Sequence, residues 1–494
     1  MPPEPRSRTG RRPPSPSAEP PESAEPTAPA EPTAPAERTE GAPPGPLPLA
    51  GTLPDLVASA LALALVTAAV VIGAAIEDEQ GILRVAWPPL YANWDPHTGP
   101  GTPPALVLAA LVIAFGPTLA ARLPWRVLVY GSWGAAMAWT WSLAWVDGWR
   151  RGIEGRLTTR YEYLTVIDRF DDIGAALRGF TGHILMEAPD NWPAHVAGHP
   201  PGAVLTFVGL DRIGLGGGGW GAAWCVTTGA SAVAAILIAV RVLADEERAR
   251  RAAPFLVLAP AAVWVGVSAD GYFAGVAAWS LALLALAATR ETRAPRAVAV
   301  CAGLLGGLTA YLSYGLALCA LIAAAVLFLA RSARPLPYAL AGAAAVGAAF
   351  TLGGFDWWEG YRLLHERYYQ GAASLRPYSY WVWANLACTM AVIGLASVAG
   401  VRRSLRAVPR ALAAPRGREA AGARLAVLVL AALLAVAAAD LSGMSKAETE
   451  RIWLPFALWL LPSAALLPPR TARWWLAAQA VLALTVNHVL RTGW

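Results

Sequence analysis

Residues Tyr161 to Gly202 read YEYLTVIDRFDDIGAALRGFTGHILMEAPDNWPAHVAGHPPG. The stretch is acidic, aromatic and bears histidines, and it interrupts a chain otherwise dominated by apolar runs. It carries Glu162, Asp168, Asp171, Asp172, His195 and His199. A long polar segment between apolar helices is uncommon unless it has a task. His199-Pro200-Pro201-Gly202 opens a short apolar run, Ala203 to Leu210, which Asp211 and Arg212 stop. Proline suits a first helical turn, where its missing N–H would go unsatisfied anyway. The run is too short to span a bilayer and predicts an interfacial or re-entrant helix.

Outward from this stretch the chain is greasy. Of 494 residues, 56% are hydrophobic and 15% charged, against roughly 25% charged in soluble domains. Apolar runs fall at 53–76, 103–121, 125–147, 218–243, 252–269, 271–289, 297–312, 314–330, 336–354, 381–400, 424–439, 452–468 and 474–490. Their lengths predict an all-α polytopic membrane protein. About thirteen transmembrane helices are expected, with a large outer loop carrying juxtamembrane helices. The formal charge of +6 is no sign of nucleic-acid binding, because the arginines cluster between apolar runs. Cys225, Cys301, Cys319 and Cys388 all lie in apolar runs, without metal-like or disulfide spacing.

Residues 1–50 are rich in Pro, Ala, Glu, Ser and Thr and predict a disordered tail. Residues 51–124 read as two additional transmembrane helices, and 125–494 as a further membrane module with an outer loop at 148–217. The loops at 122–126, 245–251, 290–296, 331–334, 401–424 and 469–473 each hold two or more arginines. The positive-inside rule places them, with the tail, in the cytoplasm. The polar segments 77–104, 147–220, 354–380 and 440–451 then face out of a plasma membrane. Counting the Ala203–Leu210 run as a span would invert the later loops. No G-x-x-x-x-G-K-[ST] phosphate loop is present.

Each candidate residue has a plainer alternative. Glu162, in a Tyr-Glu-Tyr setting, is placed to accept a proton if burial among aromatics raises its pKa; otherwise it is a solvated loop acid. Asp171 is weaker, since the DDIGAALRGF stretch also reads as an N-capped helix. Asp270, in Ser268–Phe273, is costly at a membrane interface unless paired or wet; its alternative is a helix cap. Tyr272 lies beside it. Arg376 precedes Pro377 at the end of an aromatic, amphipathic segment and suits phosphate pairing. Lys446, the only lysine in the chain, lies close to Glu448, Glu450 and Arg451. Glu448 with Arg451 and Lys446 with Glu450 could pair at helical spacing, and the group reads as a cationic pocket for a leaving phosphate or as a charged helix start. His195 and His199 are four apart, but Pro200 follows at once, so no metal-ligand spacing is strong. The sequence points to no certain cofactor, and a divalent metal is left open.

Glu162 followed by His199-Pro200-Pro201-Gly202 resembles the GT-C superfamily of membrane glycosyltransferases, which includes protein O-mannosyltransferases and aminoarabinose transferases. There, an acid near the start of a first outer loop precedes an H-P-P-L or K-P-P-L motif that opens a juxtamembrane helix. The resemblance covers residues 125 to 470. This chain differs in its two extra preceding spans, in Tyr-Glu-Tyr where Asp-Glu is commoner, and in Gly202 where Leu is usual. The resemblance implies a sugar donor on a polyprenyl phosphate and transfer to an envelope glycan or protein acceptor. Glu162, Asp171 or Asp270 would act as base. His195, His199, Tyr272, Arg376, Lys446, Glu450 and Arg451 would hold substrate. The rival readings are a transporter or flippase of a lipid-linked sugar and a non-catalytic envelope-assembly protein. A transporter predicts mid-span charges and internal repeats, and the apolar runs show neither.

Overall fold

The computed structural model describes residues 49–413 and 418–493. The tail predicted to be disordered lies outside them except for its last two residues. From Ala50 onward the described residues form one compact unit, and among them the elements are helical but for two short strands.

Among the described residues, seven helices are long and apolar enough to cross a membrane. They are Thr52–Gln80, Thr102–Arg122, Gly218–Leu243, Ala269–Thr289, Pro295–Leu312, Tyr378–Ala407 and Ala420–Leu441. An eighth is added if Leu336–Leu352 and Trp357–Gln370, bent by 76° at their junction, form one span. The expected thirteen are therefore not all present as unbroken spans. The run 252–269 is divided into Glu246–Val257, Ala262–Val265 and the start of Ala269–Thr289. The run 452–468 is likewise a short helical turn followed by the apolar helix Leu454–Leu466. Apolar composition records what a segment buries, not whether its backbone stays continuous.

The most enclosed spans are Gly218–Leu243, Ala269–Thr289 and Tyr378–Ala407, whose apolar stretches are 72%, 78% and 72% buried, against 22% and 17% for Thr52–Gln80 and Thr102–Arg122. The first three therefore form the centre of the unit. The last two leave Leu61, Val71, Val107 and Phe115 exposed, an apolar surface suited to lipid. Asp55, fully buried in the first span, is paired with Arg402 and Arg403.

The helix Tyr378–Ala413 breaks at Gly394, where φ is 76° and ψ 169°. A break inside a membrane helix must have its freed backbone groups satisfied within the protein. Here Gln479, fully buried, supplies both partners. Its Nε2 donates to the Ile393 carbonyl (3.0 Å) and its Oε1 accepts from the Ala396 N–H (3.3 Å). The predicted loop 401–424 is instead helical to Ala413.

The two strands, absent from the sequence expectation, join distant parts of the chain. Ala92–Trp94, between the first two spans, pairs antiparallel with Leu490–Thr492 near the C-terminus. His97 binds Asp147 at 3.0 Å, and Arg156 binds the same carboxylate at 2.8 Å. The segment after the first span is thereby fixed to the polar segment that begins at Trp145.

Candidate active site

Residues 145–217 fold into short 3-10, π and α turns. Tyr163–Phe170 is a 3-10 helix with Tyr163, Val166 and Phe170 buried; Tyr163 and Val166 share a face at the near-eclipsed i, i+3 spacing. Tyr163 stacks on Phe207 at 5.3 Å and meets His199 edge-on at 5.9 Å. Glu162 stands at the N-terminus of this helix, only 6% exposed, so the anchored tyrosine fixes the acid beside it.

The His199-Pro200-Pro201-Gly202 motif starts the helix Gly202–Arg212. At ~1.5 Å per residue this helix is too short to cross a bilayer, as expected. A Cβ at Gly202 would come within 2.5 Å of the Tyr311 carbonyl. The close approach of backbone to backbone accounts for glycine at this position.

His195 lies on the turn Ala194–Ala197, whose His195 N–H donates to the Tyr161 carbonyl at 3.1 Å. That bond brings the ring to Glu162, with Nδ1 to Oε1 at 2.8 Å. On the other side, Nε2 lies 2.9 Å from Arg451 Nη2. A guanidinium can only donate, so Nε2 must hold the lone pair and Nδ1 the proton given to Glu162. While the contact with Arg451 holds, His195 is neutral and of fixed tautomer.

Asp270 opens the helix Ala269–Thr289. Ser268, not Asp270, caps it, accepting from the Gly271 N–H at 3.2 Å. The Asp270 carboxylate is therefore available to Arg451, 2.5 Å away, and lies at the positive end of the helix. Arg451 comes from the turn Thr449–Ile452 and also binds Glu448 at 2.7 Å, the predicted i, i+3 pair. Ala447 and Glu448 both have left-handed backbones, with φ of 73° and 63°. Such non-glycine conformations cost roughly 1–3 kcal/mol each and tend to occur at functional sites.

The network thus gathers Glu162, His195, Asp270, Glu448 and Arg451 from four separate stretches. Three carboxylates surround one guanidinium, an excess of two negative charges. Burial opposes the charge on Arg451, but Asp270, Glu448 and Glu162 outweigh it and hold the guanidinium protonated. Burial likewise works to raise Glu448, yet Arg451, by its charge and its hydrogen bond, keeps it below the usual carboxylate range. His199 is tied through Nδ1 to the His195 carbonyl (2.7 Å) and the Tyr163 hydroxyl (3.1 Å). Burial pushes its pKa down, against the pull of Asp270.

Other predicted residues lie around or outside this network. Glu450 is fully buried, and its Oε1 accepts from the Tyr91 N–H at 2.8 Å. Burial, with Glu448 adding to it, pushes the Glu450 pKa up to about 7. Lys446 donates to the Ala373 carbonyl at 3.0 Å rather than to Glu450, because it precedes the turn on which the two would have faced each other. Arg376 donates to the carbonyls of Leu83 (2.8 Å), Lys446 (2.7 Å) and Arg84 (3.4 Å). Tyr272 bonds Thr206 at 3.0 Å and holds the Gly202–Arg212 helix against its own. Asp171 is exposed, and its carbonyl accepts from Arg212. Among the described residues no group of three or more His, Cys, Asp or Glu is placed to hold a metal ion. Sequence reading missed Glu448 as a site member; its only signal was the spacing to Arg451.

No protein-family model matches the sequence. No curated protein is similar to it. Among solved structures, it is similar to the Archaeoglobus fulgidus oligosaccharyltransferase in complex with Zn and sulfate. The TM-score is 0.40 at 16% identity, over 78% of this chain and 53% of that one. A second similarity is to the archaeal oligosaccharyltransferase AglB, also from Archaeoglobus fulgidus, in complex with an inhibitory peptide and a dolichol-phosphate. There the TM-score is 0.36 at 12% identity, over 73% and 50% of the two chains. The chain spans about half the length of each.

Proposed function

We propose that this chain is a membrane glycosyltransferase. It moves a sugar from a polyprenyl phosphate to an acceptor hydroxyl of an envelope glycan or protein, on the outer face of the plasma membrane and with inversion. The observation that carries the reading is the buried network: carboxylates in excess over cations, with a histidine whose tautomer is assigned by its neighbours. Glu162, oriented by the His195 Nδ1–H, takes the acceptor proton as the acceptor oxygen bonds to the anomeric carbon. The bond from that carbon to the phosphate oxygen breaks, and its electron pair leaves with the lipid phosphate. The phosphate is already a good leaving group, so one base suffices and no covalent intermediate forms. Arg451, committed to Asp270, Glu448 and His195, keeps the carboxylates together in a site too dry to hold them alone. Arg376 and Lys446, near the same centre, are the cations proposed for the lipid phosphate.

The test is product analysis in proteoliposomes supplied with labelled polyprenyl-phosphate sugars and candidate acceptors. The expected product is sugar on the acceptor with inverted anomeric configuration. Label that crosses the bilayer still attached to its lipid would establish a transporter instead.

A further inference from the structure

A cavity of about 420 Å³ lies between the helices Trp125–Ala144, Gly218–Leu243 and Ala269–Thr289. No member of the carboxylate network lines it. Its volume is in the range of small-molecule sites, roughly 300–1,000 Å³. Half-buried tryptophans form much of the wall, and the polar atoms there are bonded to one another. Trp133 Nε1 donates to the Thr227 carbonyl at 3.1 Å, and Trp279 Nε1 to the Ser231 hydroxyl at 2.9 Å. Ser231 Oγ in turn donates to the Thr228 carbonyl at 2.6 Å. What the wall offers a guest is therefore apolar. The cavity is also long. Thr227 and Ile238 line it from one helix and at ~1.5 Å per residue stand about 16 Å apart. That is the depth of one leaflet, half of a hydrocarbon core of about 30 Å.

The two ends differ. Trp125, Arg126 and Ile238 line the end beside the arginine clusters 122–126 and 245–251. Most of the charge there is committed. Glu246 is shared by Arg241 at 2.9 Å and Arg250 at 2.7 Å. Arg241 also lies over the Trp125 ring at 4.8 Å. Arg250 donates to the Ala120 and Leu123 carbonyls, each at 2.8 Å, and so fixes the turn that precedes Arg126. Arg126 itself is exposed and, among the described residues, makes no hydrogen bond or ion pair. The mouth thus presents an unneutralised guanidinium above a dry slot, with its one carboxylate already divided between two arginines.

We infer that this cavity binds one anionic phospholipid from the leaflet at the arginine-rich end, with the lipid phosphate on Arg126 and one acyl chain along the tryptophan wall. A guanidinium suits a phosphate through paired N–H donors, and the wall suits hydrocarbon because it leaves no polar atom to be desolvated. The charge at the mouth selects an anionic headgroup over a zwitterionic one, whose ammonium would find no free carboxylate. The site is independent of the glycosyltransferase reading.

The test is native mass spectrometry of the full chain in detergent, titrated with phosphatidylglycerol or with phosphatidylcholine of the same acyl chains. The first phosphatidylglycerol should bind about 10-fold tighter than the first phosphatidylcholine, the worth of one charge-assisted hydrogen bond. Arg126→Gln should remove that preference without changing the unfolding temperature. Ile238→Trp, which sets an indole in the slot, should remove the tight site. Equal affinity of the two lipids for the wild-type chain would overturn the inference. So would a preference that survives Arg126→Gln, or a tight site that survives Ile238→Trp. If Ile238→Trp does not fold, Arg126→Gln, at an exposed position, decides alone. A polyprenyl phosphate that displaces phosphatidylglycerol from the site at equal concentration would give the cavity another occupant and overturn the assignment as well.

Discussion

Arg451 joins more of the site than any other side chain, and its removal leaves Asp270 and Glu448 buried without their cation. Arg451→Ala should destabilise the protein by about 3–5 kcal/mol, the usual result of breaking a buried pair from one side. Arg451→Lys should recover little of it, because an ammonium lacks the planar fork that reaches three partners; thermal unfolding in detergent measures both. Glu450 makes a prediction of opposite sign to ordinary acid denaturation. Its folded pKa of about 7 lies above the ordinary 4.5, so the folded state holds the proton more tightly than the unfolded one. Its contribution is complete below about pH 4.5 and is lost as pH rises through 7. Unfolding free energy should fall by about 1.4 kcal/mol per pH unit in that window from this group alone, and Glu450→Gln should remove that slope. The Glu448–Arg451 pair was legible, since both partners lie within one helical turn. The Glu162–His195 contact was not: each residue stood out by type, but their meeting depends on the backbone bond from His195 to Tyr161.

At the scale of elements, the apolar runs located the helices but not their breaks. The Gly394 break became visible only with Gln479, a polar residue from another helix that occupies the gap. Gln479→Leu should leave the Ile393 carbonyl and the Ala396 N–H unpaired in a dry interior. The expected loss is roughly 1–3 kcal/mol, read as a lower unfolding temperature. The short helix after Pro200-Pro201 was legible because proline marks its start and Asp211-Arg212 its end. Why glycine follows the prolines was not legible, because the reason is the Tyr311 carbonyl. Gly202→Leu should therefore destabilise by about 1–3 kcal/mol through overpacking; stability equal to wild type would show that the two backbones can separate without cost. The strand pairing of Ala92–Trp94 with Leu490–Thr492 was hidden for a different reason. Three residues carry too little pattern to predict, and the partner lies at the other end of the chain.

For the whole molecule, the arginine clusters predict that both ends of the Gly202–Arg212 helix face outward. With Cys301, the one exposed cysteine among the described residues, replaced by serine, Asn191→Cys and Ile213→Cys should both react with an impermeant thiol reagent in intact cells. Protection of Ile213→Cys alone would mean that the helix crosses the membrane. The central claim is that Glu162, held by His195, is the base of a glycosyl transfer. The most direct measurement is single-turnover transfer in proteoliposomes by Glu162→Gln beside Asp171→Asn, with donor binding measured in the same preparations. Glu162→Gln keeps the shape and loses the proton acceptor, so turnover should fall by ~10²–10⁴ with donor affinity unchanged. Asp171→Asn, at an exposed position outside the network, should stay close to wild type. Near-normal turnover by Glu162→Gln, or loss of turnover confined to Asp171→Asn, would contradict the account.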